Sequence, residues 1–402
     1  MADSPEYFDI VIIGGGLVGA SLAILLRDSG YSIAIVEAFE HDASAQPSYD
    51  DRSVALSWGS RLILESMGLW SDLRDVIEPI LHIHISDRGH FGVTRLHHDE
   101  EGVEALGYVA ENRVLGRVLY RQLRRQTNVT LLCPATLQHV QNREHHVEVT
   151  VEAGGSVQRL HARCLVAADG VGSKVRQSLC IGSMRKDYGQ SAVICNVTPG
   201  QAHANVAYER FTADGPIAFL PLTRNRCSVV WTLPHGQAER AMQLDDEAFL
   251  QQLQQRFGYR LGRLRKTGAR ASYPLALVES TQLVQGRTVV VGNAAHALHP
   301  VAGQGFNLAL RDIATLVDGF ACADDPGAPA VLHAYQQQRE ADARRVYRFT
   351  DGLIRLFSSR FAPLAHARAG GLLAVDLLPF IKHQLARQSM GLSGRLASAA
   401  RR

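Results

Sequence analysis

The sequence predicts an α/β fold in which a parallel nucleotide-binding sheet is interrupted by an inserted α+β unit with an antiparallel sheet, and is followed by a helical C-terminal tail. Three observations predict it. The chain opens with an apolar strand that feeds a glycine loop and a helix. Two later apolar runs, Cys164 to Ala168 and Thr288 to Gly292, likewise end in loops that precede helices. Between them, from about Tyr188 to Tyr273, the texture changes to the alternation of half-buried antiparallel strands.

The first strand, Phe8 to Ile13, runs into Gly14, Gly16 and Gly19 on the G-x-G-x-x-G spacing. The first glycine permits the tight turn, the second lets backbone approach a pyrophosphate, and the third lets helix and strand pack closely, which makes the unit Rossmann-like. Phosphates then sit at a helix N-terminus, where free N–H groups favour anions. A second buried strand, Ser32 to Val36, ends at Glu37, where this fingerprint places a carboxylate for a ribose hydroxyl. The motif leaves open which dinucleotide is bound.

His41 to Tyr49 has no periodicity and reads as a loop. Asp51 to Leu56 leads into an amphipathic helix, Ser60 to Met67, stopped by Gly68. Arg52 is either a surface cation or a partner for a pyrophosphate. Leu81 to Ser86 alternates as a strand does, with Gly89 to His98 as its hairpin partner. His82 and His84 share a face, and without a third ligand nearby they read as a sheet face and not a metal site. Asn112 to Gln126 is a basic amphipathic helix carrying Arg113, Arg117, Arg121, Arg124 and Arg125. Val129 to Leu132, His146 to Val151 and Gln158 to Ala168 read as strands returning to the first sheet, the last delivering Asp169 and Gly170.

In the inserted region the expected strands are Ser191 to Val197, Ala204 to Phe211, Ile217 to Pro221 and Cys227 to Leu233, with a helix from Asp245 to Phe257. The run after Thr288 to Gly292 passes through Asn293 and His296 to a helix starting near Asn307. From Val331 onward the chain is helical, and cations outnumber acids. That pattern fits both a membrane-surface element and a helix docked on the second domain. The implied boundaries are 1–78, 106–185 and 275–328 for the nucleotide-binding domain, 79–105 and 186–274 for the substrate domain, and 329–402 for the helical region.

At 402 residues the chain is long enough for two domains, and its net charge of +3 gives no argument for nucleic acid. Six scattered cysteines show no metal-like spacing and imply a reducing compartment. The first residues lack a basic and apolar leader, and no apolar run reaches the ~18 residues of a membrane span. The expectation is a cytoplasmic protein, soluble or peripheral on the inner face of the cytoplasmic membrane.

Taken together, Gly14-x-Gly16-x-x-Gly19, Asp169-Gly170, Gly292-Asn293-Ala294-Ala295-His296 and Pro300-x-x-Gly303-Gln304-Gly305-x-Asn307 resemble the FAD-dependent aromatic hydroxylases of the p-hydroxybenzoate hydroxylase type. Tyr208 to Thr212, Tyr273 to Leu277 and Leu298 to Leu308 resemble their ubiquinone-biosynthesis branch. The resemblance implies FAD as cofactor, with NAD(P)H or another electron donor. It implies that Gly14, Gly16 and Gly19 hold the pyrophosphate, Glu37 the adenosine ribose, and Arg52 the flavin nucleotide. It places Arg117, or else Arg113, on the cofactor, Thr136 by the adenine, and Asp169 in a cofactor loop. Gly292 and Asn293 stand where the superfamily usually has Gly-Asp, and an amide still offers an acceptor there. Pro300, Gly303, Gln304, Gly305 and Asn307 then face the flavin ring, where a helix N-terminus stabilises negative charge.

The implied reaction is hydroxylation of a polyprenylated methoxyphenol by O₂ through a flavin C4a-hydroperoxide. The alternatives are a related hydroxylase of another quinone precursor or soluble phenol, and a flavin-binding subunit of a biosynthetic complex. A simple NAD-dependent dehydrogenase needs neither the second nor the third loop. His84, His90, Tyr208, His296 and His299 have the right chemistry for a phenol-deprotonating base, and none stands out. Phe211, Phe219, Pro221, Trp231 and Tyr273 either line a substrate pocket or fill a core. A prenylated substrate implies docking of Val346 to Leu385 on a membrane surface or on other quinone-biosynthesis proteins.

Overall fold

Ile10, Val11 and Ile12 have no exposed surface because the strand that carries them, Glu6–Ile13, is covered on both faces and both edges. It pairs in parallel with Ile33–Val36 on one side and Ser156–Ala167 on the other. Val129–Leu132 and Thr288–Val290 extend the sheet in parallel, and Val284–Gln285 closes one edge in antiparallel sense. Helices Leu17–Leu25, Asn112–Leu123 and Gln304–Phe320 pack over this sheet, so its strands read as unbroken apolar runs. The computed structural model describes residues 4–40, 52–298, 303–358, 362–393 and 397–400. The expected loop His41 to Tyr49 lies outside them.

A nine-stranded sheet forms the second layer. Across it run His296–Ala297, Ala271–Ser280, Ser183–Thr198, Arg226–Pro234, Ile217–Leu222, Val206–Phe211, His82–Asp87 and Val93–His97, with Lys266–Thr267 beside Ser183–Thr198. One face is buried under helices His235–Gln243 and Asp246–Phe257, around Phe219, Trp231, Phe249 and Phe257. The Phe219 and Phe257 rings stack at 3.9 Å between centroids. Phe219 and Trp231 are therefore core and not pocket wall. A three-stranded sheet of Ser53–Ser57, Glu78–Ile80 and Gly107–Glu111 bridges the layers.

Three elements differ from expectation. Ala135–Asn142 forms a strand of the first sheet, paired with Val147–Ala153; polar Gln138, His139 and Gln141 obscure its alternation, and the pairing shifts register near Thr150. The helix expected near Asn307 starts at Gln304, because Gly303 adopts a left-handed φ of 61° as its N-cap. His235–Gln243 is helical directly after Pro234, a position the strand pattern conceals.

The C-terminal region forms helices Pro329–Ser358, Ala362–Leu377 and Pro379–Ser389. The last two dock on the edge hairpin of the second sheet. Thr94 Oγ1 donates to Leu372 O at 2.7 Å, Arg95 N donates to Asp376 Oδ1 at 2.7 Å, and Ala386 and Met390 pack with Leu96 and Leu106. Leu377, Leu378, Phe380 and Ile381 nonetheless remain exposed. Among the described residues no helix is long and apolar enough to cross a membrane.

Candidate functional site

The glycine loop is shaped by contacts that leave no room for side chains. Gly14 has φ of +101°, and a Cβ there would lie 2.5 Å from Ala168 O; one on Gly19 would lie 1.9 Å from Gly14 O. Gly16 caps helix Leu17–Leu25 in extended backbone. Glu37, at the end of its strand, accepts Gly15 N at 2.6 Å and Phe39 N at 2.9 Å. Asp169 Oδ2 accepts Val175 N at 3.2 Å, whereas its Oδ1 is buried without a partner, and burial pushes its carboxyl up from its ordinary value. A buried acceptor facing a nucleotide-sized space fits the hydroxyl-rich linker of a dinucleotide.

At the opposite end, the N-terminus of helix Gln304–Phe320 is fixed by Asn307. Its Oδ1 accepts Ser57 N at 2.9 Å and Ser60 Oγ at 2.7 Å, and its Nδ2 donates to Ala55 O at 2.7 Å and Gly303 O at 2.6 Å. All four positions of the amide are used. Asn307 therefore ties the small sheet to the helix instead of offering its side chain to a ligand. The Arg52 guanidinium lies 4.8 Å from the centre of the Tyr273 ring.

One continuous cavity of about 1220 Å³ joins these ends. It exceeds the roughly 300–1,000 Å³ that suits a single drug-sized ligand, and so has room for a dinucleotide and a second molecule. Its glycine-loop end is walled by Gly14, Gly16, Glu37, Thr136 and Asp169, and its middle by Arg52, Asn293, Gly303, Gly305 and Asn307. Its far end is apolar. There the open face of the second sheet forms the floor, through Ile83, Ile85, Ala218 and Val230, and Leu372, Val375 and Leu385 of the C-terminal helices form the roof.

The remaining sequence-derived positions lie elsewhere. Gly19, Gly292 and Gln304 pack behind the wall. Arg117, expected on the cofactor, is exposed and does not line the cavity, and neither does Arg113. Pro300 and His299 lie outside the described residues.

Nor do the histidines supply an obvious base. His84 sits on the helix-covered side of the sheet, 5.5 Å from Tyr208, and burial first, then nearby Arg260, pushes its pKa down to about 4. His90 pairs with Asp87 at 3.1 Å. His296 Nε2 meets Asp312 Oδ2 at 2.7 Å, in a buried network where Arg339 donates to Asp312 at 2.6 Å and to Asp342 at 2.7 Å. Burial by itself would raise the Asp312 carboxyl; Arg339 and His296 more than offset it and hold it below the usual range. The network pins the third loop to helix Pro329–Ser358.

Sequence reasoning missed two features. Asp312 and Arg339 are invisible as a pair because 27 positions separate them. Glu209 lines the apolar end of the cavity, and its alternation with Ala207 and Phe211, both on the same wall, is the signal that could have found it. Away from the cavity, His146, Glu148 and His161 hold possible metal donors within 4.8 Å of one another, but Arg143 already engages both oxygens of Glu148 at 3.0 Å.

Comparison with known proteins bears on this geometry. A family model described as FAD binding domain matches residues 7–350. The chain is similar to ubiquinone hydroxylase UbiL of Rhodospirillum rubrum, with 38% identity over 388 residues, covering 95% of this chain and 89% of the relative. It is similar to 3-demethoxyubiquinol 3-hydroxylase of Escherichia coli (strain K12), with 32% identity over 394 residues and coverage of 96% and 98%. Among solved structures it resembles p-nitrophenol 4-monooxygenase PnpA from Pseudomonas putida DLL-E4, with a TM-score of 0.80 at 18% identity and coverage of 97% and 99%. At that identity the likeness speaks to the fold alone.

Proposed function

The chain belongs to the FAD-binding-domain family and is an FAD-dependent monooxygenase of the ubiquinone-biosynthesis type, and from this premise we propose that it hydroxylates a polyprenylated methoxyphenol. The observation that carries the proposal is the single cavity that begins at the glycine loop and ends in an apolar chamber between the second sheet and the C-terminal helices. The first end suits an ADP moiety and the last an aromatic ring with an apolar tail.

FAD, held at this site, would supply the redox chemistry that makes O₂ an electrophilic hydroxyl source, with NAD(P)H or another donor as the reductant. The protein's residues do the rest. Gly14 and Gly16 admit the pyrophosphate at the helix N-terminus, and Glu37, which orders Gly15, faces the adenosine ribose. Asp169, whose Oδ1 is buried without a partner, would accept a hydroxyl of the linker. Gly303 and Gly305 present backbone N–H groups to the ring end, where the dipole of a 17-residue helix stabilises negative charge. Ile83, Ile85, Ala218 and Val230 exclude water from the substrate side.

The roof supports an apolar tail in the substrate. Helices Ala362–Leu377 and Pro379–Ser389 turn Leu372, Val375 and Leu385 inward and leave Leu377, Leu378, Phe380 and Ile381 outward, beside Lys382. This surface suits docking on a membrane or on another protein of the pathway. Comparing turnover of a short-chain prenylated methoxyphenol with that of the unprenylated ring tests the substrate. Preference for the prenylated compound is expected, and equal turnover would favour a soluble phenol instead.

A further inference from the structure

Glu209 occupies a place in the substrate chamber that the fold defines closely. The register across the second sheet sets Ile194 opposite Val230, Val230 opposite Ala218, Ala218 opposite Glu209, Glu209 opposite Ile85, and Ile85 opposite Thr94. All six line the cavity, so they form one transverse row on its floor. Glu209 is the one ionisable member. Within the strand, Ala207, Glu209 and Phe211 face the cavity as period two requires. Among the described residues the Glu209 carboxyl makes no hydrogen bond and no ion pair.

An acid in an apolar floor without a partner costs stability that a hydrophobic residue there would not. A ligand donor explains its presence. We propose that Glu209 accepts the hydrogen bond of the substrate's phenolic hydroxyl and takes its proton as the ring is hydroxylated. The proposal rests on the reading of this site as a phenol hydroxylase. The O–H bond breaks and its electron pair moves from the phenolic oxygen into the ring. The activated ring carbon forms its new C–O bond with the hydroxyl oxygen that reduced FAD and O₂ would supply, as the O–O bond breaks and its electron pair leaves with the other oxygen, which ends as water. The ring carbon then loses its hydrogen as a proton to solvent, and the carbonyl oxygen recovers a proton from Glu209 as the product regains aromaticity. Burial raises the Glu209 carboxyl to about 7, which suits a base working near neutrality. Of the other charged groups on the same cavity, Arg52 lies over Tyr273, Arg368 meets Asp87 at 3.3 Å, and Glu37, Asp169 and Lys174 belong to the glycine-loop end and not to this row. The neighbouring strands contribute no titratable group to the row.

The test uses the full FAD-loaded chain and its Glu209→Gln variant. Binding of 2-methoxyphenol and of its methyl ether is measured by calorimetry at about pH 5.5 and about pH 8.5, either side of the titration. Because hydrogen bonds to a charged acceptor are stronger than neutral ones, wild type should bind the phenol about tenfold more tightly at the higher pH. The ether should show no such gain, and neither should the variant with the phenol. In turnover, the variant should lose about 10² in kcat together with the limb of the pH profile near 7. Phenol affinity that ignores pH in wild type, or the same gain in Glu209→Gln, would overturn the assignment. Should the variant not fold, the phenol and ether contrast in wild type decides. Failure of wild type to load FAD or to form product counts instead against the hydroxylase reading, so the two outcomes are distinguishable.

Discussion

Asn307 Oδ1 accepts the backbone N–H of Ser57 at 2.9 Å, joining two residues 250 positions apart. With the bonds to Ser60, Ala55 and Gly303, this makes one side chain the pin between the small sheet and the helix whose N-terminus lines the cavity. Asn307→Ala leaves several buried groups unpaired and should cost on the order of 3 kcal/mol. Denaturant unfolding should show that loss, and the bound flavin content of the purified variant should fall with it.

Gly14 gives the sharpest steric prediction. Ala at this position must hold a φ of +101° and push against Ala168 O. A strain of about 1–3 kcal/mol would weaken FAD binding by roughly 5- to 150-fold, measurable by titrating the flavin-free protein with FAD.

The buried network predicts a large effect far from the glycine loop. Arg339→Met removes the cation that faces both Asp312 and Asp342 and leaves the buried Asp312 with His296 alone, while Asp342 keeps Arg311 at 3.0 Å. Losing one partner of such an arrangement costs about 3–5 kcal/mol. Double substitution with Asp312→Asn should recover part of that loss in thermal unfolding, and no recovery would argue against coupling between the two.

The first sheet was legible because its strands are buried on both faces and announce themselves as apolar runs ending in glycine. That Gly14, Gly16, Glu37 and Asp169 meet at one end of the cavity was legible for the same reason, since they sit at strand ends, where the chain order fixes their meeting. Asn307 lies in the first turn of helix Gln304–Phe320, and its role was not readable, because an amide's four partners come from distant elements. Arg117 is exposed and off the cavity wall, a position helical periodicity does not predict, since it says which residues are polar and not which way each one faces. Glu209 was hidden by its neighbours: Tyr208 and Arg210 make the strand look polar until the register shows which face each residue takes.

His84 sets a pH dependence of stability. Its pKa falls from 6.5 to about 4 on folding, so the unfolded chain binds more protons between those values. Its contribution is fully present above pH 6.5 and is lost as pH falls toward 4. His84→Leu should flatten the acid limb of a plot of unfolding free energy against pH, and an unchanged limb would exclude His84 as its source.

The exposed apolar corner of the tail predicts a surface interaction. Replacing Leu377 and Phe380 by Ser should reduce co-sedimentation with anionic liposomes while leaving turnover of a soluble phenol unchanged. Equal sedimentation by both forms would remove the membrane from the account.

The central claim is that bound FAD and O₂ hydroxylate a phenol in the chamber above the second sheet. Single turnover of the FAD-loaded protein, reduced and then exposed to isotopically heavy O₂ with a prenylated methoxyphenol, tests it directly. One heavy oxygen atom in the quinol product is predicted. Unchanged phenol, or a hydroxylated product without the label, would contradict it.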